Sequence, residues 1–329
     1  MTDRPVLFVT NQVPPDRVGA FEALAARLPL DLVTFGGRGA HGTPDTGMGR
    51  RVGEREIWRI AARGAHSAVV CGTAGRVALP AAFAGARRAR VPFVLWASLW
   101  AHPRSPAHAL SWPAMLAIYR GADAVATYGE HVSAYVRARG ARRVVVAPQA
   151  VDNAFWSAPA TPPAELASRP FVALFVGRDA PEKGLRVLRR AWALAGLEGE
   201  LVVVTGGRTP EELRNLYAAA HVLVMPSLRG RTFREPWGLV ANEAMNQRTP
   251  VIASDQVGAA AGGLVRHERN GLVVPAGDAD ALAAALRRAS ADAPARERWG
   301  ANAAADVAAY TYDAWAAGIE AALRETGRW

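Results

Sequence analysis

Glu235 and Glu243 stand eight positions apart in Glu235–Glu243 (EPWGLVANE), the first in a loop and the second inside a helix expected to open near Gly238. The start of that helix offers free backbone N–H groups and the positive end of a dipole, a cradle for a phosphate. A carboxylate on either side of it can accept hydrogen bonds from neighbouring hydroxyls. Two glutamates at this spacing usually mark only a solvated helix face. Here a strand precedes them at Val222–Ser227 (VLVMPS) and another follows at Thr249–Ser254 (TPVIAS), and this order favours a site.

A second group follows the apolar run Phe171–Val176: Gly177 and Arg178, then Lys183 and Gly184 after a turn through Pro181. Gly177 allows close approach to the backbone, and two cations five positions apart can lean over the carboxyl end of the strand. This suits a diphosphate. A basic strand-to-helix turn is more often merely solvated, but Lys183 is the only lysine among 39 basic residues. If lysine and arginine were interchangeable everywhere, lysine would fall on this position once in 39.

The elements that must position these groups come from the apolar periodicity. Short apolar runs alternate with longer helical patterns, the mark of parallel sheets with crossover helices. The first series of strands is Val6–Thr10, Asp31–Phe35, Ala68–Cys71, Phe93–Ala97, Ala124–Thr127 and Val144–Ala147, with helices near Gly19–Leu28, Ala74–Arg90, Pro106–Tyr119 and Glu130–Arg139. The second is Val172–Val176, Leu201–Thr205, Val222–Met225, Val251–Ala253 and Leu272–Val274, followed by helices near Ala279–Ser290, Arg296–Ala308 and Tyr312–Arg324. Five prolines in Pro148–Pro170 break the alternation. The expected organisation is two facing doubly wound domains, 1–150 and 171–308, a linker over 151–170, and a final helical segment, 309–329. Ligands of such sheets bind beyond the carboxyl ends of the strands.

Composition narrows the classes. Half of the 329 residues are hydrophobic and 21% charged, which excludes a disordered chain. Cys71 alone can form no internal disulfide and no thiolate cluster. The longest apolar stretch, Pro92–Ala101, is half of the roughly 20 residues that a spanning helix needs, and the N-terminal run Pro5–Thr10 is too short for a secretory signal. The expectation is an intracellular, cytoplasmic protein. A net charge of +10 raises nucleic acid, anionic lipid and phosphorylated small molecules as partners.

In these motifs the chain resembles the retaining glycosyltransferases of family 4, which have the GT-B fold. The resemblance is carried by Gly177–Gly184, Glu235–Ala244, Thr249–Gly258 and Arg269–Leu282, is close over most of 171–290, and holds only in outline over 1–150. It implies a nucleotide-sugar donor, with UDP-hexose the commonest in the family, and no resident cofactor or metal. Arg178 and Lys183 would then neutralise the diphosphate, Glu243 would bind the ribose hydroxyls, Glu235 would hold a sugar hydroxyl, and the backbone of Gly238 and Leu239 would meet the phosphate. The last helix would cross back to the first domain. In that domain the resemblance points to Gly19, where this chain has PPDRVGAFE in place of paired glycines, and to His102 in LWAHPRS, facing the donor sugar. Arg248 stands where the family usually ends a helix with glycine.

Asp278 and Asp280 imitate a metal-binding pair, but aspartate at a helix start is an ordinary cap. The arginines at 87, 88, 90, 137, 139, 142 and 143 read as solvated helix ends, with peripheral contact to an anionic membrane, at its inner face, as the alternative. The acceptor stays open among glycan, lipid-linked and small-molecule classes. The rival readings are a nucleotide-sugar epimerase of the same architecture and a basic nucleic-acid-binding protein; against the latter, the arginines are scattered and no recognised binding module is present.

Overall fold

The computed structural model describes residues 4–36, 46–73, 75 and 77–329. The chain forms two compact units, one of Met1–Ala150 with Thr311–Trp329 and one of Val151–Tyr310. Among the described residues no helix is long and apolar enough to cross a membrane.

The first unit is built on a parallel sheet of seven strands: β1 (Val6–Thr10), β2 (Leu30–Thr34), β3 (Arg50–Arg51), β4 (Ala68–Gly72), β5 (Phe93–Ala97), β6 (Ala124–Thr127) and β7 (Val144–Val146), in the order β3-β2-β1-β4-β5-β6-β7. Val6 pairs with Leu30 on one side and Ala68 on the other. β1, β4 and β5 are buried throughout, so they read as unbroken apolar runs. Alternate residues serve opposite faces: Leu7, Val9, Val69 and Leu95 join one core, and Phe8, Val70, Val94 and Trp96 the other. The helices are α1 (Val18–Ala25), α2 (Glu54–Ala62), α3 (Ala78–Ala89), α4 (Pro106–Gly121) and α5 (Glu130–Arg137). The C-terminal helix Tyr312–Glu325 closes the second core with Trp315, Ile319 and Leu323.

Two elements of this unit were not expected. β3 is only two exposed residues, too short for a period, and α2 is a nine-residue helix that buries Ile57, Ile60 and Ala61. α3 starts four residues later than its apolar pattern suggested. There the Glu54 carboxylate accepts from the N–H groups of Val77 and Ala78, at 2.8 and 2.9 Å, and caps the helix from outside it.

The second unit carries β8 (Val172–Val176), β9 (Glu200–Val204), β10 (Val222–Met225), β11 (Val251–Ser254) and β12 (Gly271–Val274), parallel and in the order β12-β11-β10-β8-β9. Its helices are α6 (Asn153–Ser157), α7 (Ala164–Ala167), α8 (Leu185–Ala195), α9 (Pro210–Ala219), α10 (Val240–Asn246), α11 (Gly258–Ala261), α12 (Ala279–Ala291) and α13 (Ala293–Val307). Residues 151–170, expected as a linker, instead belong to this unit. Trp156 of α6 is buried against Tyr217, and Gln247 donates to Ala158 O at 3.0 Å, so packing overrides the proline-rich composition. The chain passes from β8 outward to β9 and then back to β10 on the other side of β8. The loops after β8 and β10 therefore flank the point where the winding reverses, the place where open α/β sheets leave a crevice.

Candidate functional site

Both charged groups read from the sequence lie at this reversal. After β8 the chain runs through Gly177 and Arg178 into one 3-10 turn, Pro181–Lys183, and then α8. Gly184 joins turn and helix at φ +72°, and a Cβ there would sit 2.0 Å from Pro226 O. Only glycine lets this turn lie against the loop that follows β10. Leu228 N donates to Glu182 O at 2.7 Å and ties the two loops together. The result brings together residues 52 positions apart: the Lys183 ammonium donates to Glu235 Oε2. Glu235 is buried, Ser227 Oγ lies 3.5 Å from the same oxygen, and the Phe233 ring centroid is 5.9 Å from Lys183 Nζ.

Arg178 goes elsewhere. Its guanidinium donates to Glu182 Oε1 at 3.2 Å and stays 43% exposed. With Gly206, Gly207 and Arg208 it lines a small cavity of about 200 Å³ at the ends of β8 and β9. A Cβ on Gly177 would meet nothing closer than 3.4 Å, so nothing in the folded unit itself requires that glycine.

Glu243 lies in the first turn of α10, beyond Gly238 at φ +94° and Leu239 as the capping residue. A Cβ on Gly238 would press on the Met225 methyl at 2.4 Å. No side chain caps this helix start. The Tyr217 hydroxyl donates to Glu243 Oε2 at 2.6 Å. Burial, reinforced by the charge of Glu243, pushes the phenol well above its ordinary range, so Tyr217 remains a protonated donor. Its bond fixes the carboxylate and occupies one oxygen, while an ionised carboxylate has acceptor capacity to spare. Tyr217 was not anticipated; its only sequence signal is a polar-tipped aromatic near the end of a helix. Trp237, between the two glutamates, is buried with Nε1 on Asn242 Oδ1 at 2.8 Å, and so anchors the loop that carries Glu235.

The same loop carries three arginines that the sequence reading passed over. Arg229 and Arg231 are exposed and Arg234 is half-buried. Burial, with Arg229 nearby, lowers the Arg234 pKa, and Asp255 works against the shift.

Gly19 and His102 belong to the first unit. A Cβ on Gly19 would lie 2.4 Å from Cε2 of Tyr312, so packing of α1 on the C-terminal helix accounts for that glycine without a ligand. His102, between β5 and α4, has Nε2 2.8 Å from His108 O and its ring 4.5 Å from that of Trp112. Asp278 caps α12, accepting from Ala281 N at 2.8 Å. Arg248 adopts the left-handed conformation, φ +61°, that a glycine would take without strain.

Residues 195–306 match the model of the family described as glycosyl transferases group 1. A D-inositol 3-phosphate glycosyltransferase of Streptomyces bingchenggensis is 40% identical over 112 residues, which is 33% of this chain and 22% of that protein. An uncharacterised glycosyltransferase of Methanocaldococcus jannaschii is 33% identical over 164 residues, 41% of this chain and 39% of that one. The chain thus spans well under half the length of these relatives. Among solved structures, Anabaena HepE in complex with UDP-glucose superposes with a TM-score of 0.72 at 18% identity, over 98% of this chain and 99% of that one. A glycosyltransferase of Rickettsia africae gives 0.75 at 13% identity, over 99% of both. The chain has the GT-B fold. The family match covers much of the second unit, including the loop that carries Glu235 and the helix α10 that carries Glu243, and begins after Lys183.

Proposed function

We propose that this GT-B chain is a retaining, metal-independent glycosyltransferase of family 4 that moves a hexose from UDP-hexose to an acceptor hydroxyl. The observation that carries the reading is the pairing of Lys183 with Glu235 where the second sheet reverses its winding, beside a Glu243 already oriented by Tyr217. An ion pair this secluded is a poor device for stability, because desolvation of both charges offsets their attraction. It makes sense as a pair that exchanges partners. A donor diphosphate offers Lys183 a stronger anion, and Glu235 is then released to accept a hydroxyl of the sugar. Glu243 accepts the ribose hydroxyls on its remaining lone pairs. Arg178, half in solvent, can leave Glu182 for the diphosphate, and the uncapped start of α10 past Gly238 and Leu239 supplies backbone N–H groups.

Catalysis then rests on stabilising the departing diphosphate and on positioning, with the leaving phosphate taking the proton of the acceptor on the same face of the sugar. No side chain has to act as a strong base. The HepE complex with UDP-glucose and the relatives named for glycosyl transfer support the donor class. The arginine groups of the first unit leave peripheral contact with an anionic membrane as part of this proposal.

Calorimetry of the intact chain with UDP, GDP, ADP and dTDP tests the donor assignment. UDP is expected to bind most tightly and to raise the melting temperature, by about 2.7 kcal/mol of stability at a hundred times its Kd. Binding is expected to persist in EDTA, and sugar released slowly from UDP-hexose is expected to keep the donor's anomeric configuration when followed by NMR. Binding that needs added manganese or magnesium, or an inverted anomer, overturns the respective part of the reading.

A further inference from the structure

Glu235 is carried by residues 226–239, a stretch that belongs to no helix or strand, so its course is set by what it touches. On one side the main chain is held. Glu235 pairs with Val257 in a single parallel bridge, and Trp237 O accepts from Ala259 N of α11 at 2.8 Å. A Cβ on Gly258 would lie 2.0 Å from Pro236 O, so α11 lies against this backbone as closely as glycine permits. On the other side a side chain is held. Trp237 is 2% exposed, its Nε1 donates to Asn242 Oδ1 of α10 at 2.8 Å, and its ring centroid is 5.7 Å from that of Tyr310 at 36°.

Tyr310 is the last residue of the second unit, beyond the end of α13. It is half-buried and well anchored. Its N–H donates to Val307 O at 2.8 Å, and its own O accepts from Asn153 Nδ2 at 3.4 Å. Asn153 opens α6 and accepts from Asn246 Nδ2 of α10 at 2.9 Å; the same Nδ2 reaches Asn242 O at 2.9 Å. Tyr310, Asn153, α10 and Trp237 thus close a ring of contacts around the loop. The phenol of Tyr310 is within electrostatic reach of Asp306, whose carboxylate receives Arg269 Nη2 and Asn270 Nδ2, both at 2.8 Å. An aromatic pair has a preferred geometry, so the Tyr310 ring fixes the orientation of the indole as well as filling space beside it. Between Trp237 and Glu235 stands Pro236 alone. Its ring locks φ, so a tilt of Trp237 is passed along the chain to Glu235 instead of being absorbed.

We infer that Tyr310 is a positioning residue for Glu235: its ring sets Trp237, and Trp237 sets the carboxylate through the stiff Pro236 link. The placement of Glu235 against Lys183 stands on this geometry alone, while its consequence for turnover rests on the donor reading. There Glu235 gives up the Lys183 ammonium when a diphosphate arrives, and its position then depends on the backbone that carries it. A misplacement of about 1 Å originating far from the chemistry can cost about a hundredfold in rate.

The test uses Lys183 as the reporter. It is the only lysine, so lysine labelled with carbon-13 at Cε gives the intact chain one side-chain NMR signal, which senses the carboxylate beside it without any ligand. Glu235→Gln marks where that signal goes when the carboxylate is lost. Tyr310→Leu is expected to move it in the same direction, and Tyr310→Phe, which keeps the ring, to return it to the parental position. Tyr310→Met, a long side chain without a ring, replaces the leucine variant if that one does not fold. Release of glucose from UDP-glucose is then expected to fall at least about tenfold in Tyr310→Leu, with the affinity for UDP unchanged. The double variant with Glu235→Gln is expected to be no slower than Glu235→Gln alone, because both changes act on one carboxylate. A parental Lys183 signal in Tyr310→Leu, with only a lower Tm, means mere packing and overturns the inference. A phenylalanine variant displaced as far as the leucine one overturns it too, as does a double variant slowed by the product of the single effects. UDP-glucose turnover keeps the two readings apart. If the Lys183 signal moves as expected while even Glu235→Gln leaves turnover unchanged, the donor reading fails and Tyr310 still positions Glu235; if Glu235→Gln slows turnover and Tyr310→Leu alters neither signal nor rate, the inference fails alone.

Discussion

At the scale of single residues, the position that kept lysine is explained by what surrounds it. Lys183 lies within a turn bounded by Pro181 and Gly184, one-fifth exposed, with Glu235 Oε2 as its partner and the Phe233 ring nearby. A compact ammonium can pass from a carboxylate to a diphosphate in this space, whereas a planar guanidinium needs more room and a forked partner. Lys183→Arg is therefore expected to lower kcat/KM at least about tenfold, or ~1.4 kcal/mol of transition-state stabilisation, with the net charge unchanged. Steady-state kinetics showing parental activity in this variant would mean that drift alone left lysine there. Tyr217 acts through Glu243. Tyr217→Phe removes one hydrogen bond to a charged group, a loss of about 1.5–3 kcal/mol at most. Its effect is expected as weaker binding of UDP and of the donor alike, with kcat held, because the ribose contact is the same in ground and transition states. A fall in kcat at constant UDP affinity would place Tyr217 in the chemistry instead.

At the scale of elements, legibility in the sequence followed the length and the burial of each piece. All eleven expected strands fall within one residue of the observed bounds at both ends, because strands buried on both faces are written as unbroken apolar runs between turns. β3, α2 and the two helices of residues 153–167 were missed. β3 and the two helices of residues 153–167 are short pieces held by tertiary contacts such as Trp156 on Tyr217, which leave no period, whereas α2 does carry one, with Ile57, Ile60 and Ala61 on one face, that the sequence reading passed over. The same division runs through the site. The charged residues could be read from type and spacing, but the meeting of Lys183 with Glu235 depends on strand order, and Tyr217 on the packing of α9 beside α10. Arg248 was legible as a departure, and the structure gives it a cost: its left-handed φ of +61° disfavours any residue with a Cβ, by roughly 1–2 kcal/mol. Glycine gives back about 0.4–1 kcal/mol of this through its freer unfolded chain. Arg248→Gly is thus expected to raise stability by up to about 1 kcal/mol, a rise in Tm of roughly 2–4 °C. A lower Tm would show that the arginine side chain holds more than the backbone costs.

At the scale of the whole molecule, the two units are built differently along the chain. The second is one continuous stretch, Val151–Tyr310, whereas the first is completed by Thr311–Trp329, so its second core cannot close until the last helix arrives. Trp315 fills that core with no exposed surface, its ring centroid 5.3 Å from Phe21 and 5.6 Å from Trp96. Truncating a buried tryptophan to alanine costs about 3–5 kcal/mol. The loss belongs to the first unit, which lacks the proposed donor residues apart from Gly19 and His102. Scanning calorimetry is therefore expected to resolve two transitions in the parent, with Trp315→Ala lowering one by at least several degrees and leaving the other in place. UDP is expected to raise the other transition, the one that the substitution spares, because a ligand stabilises only the fold that binds it. If the substitution and UDP move the same transition, either the units unfold as one or the nucleotide is held by the first of them, and the assignment of the donor to Val151–Tyr310 fails.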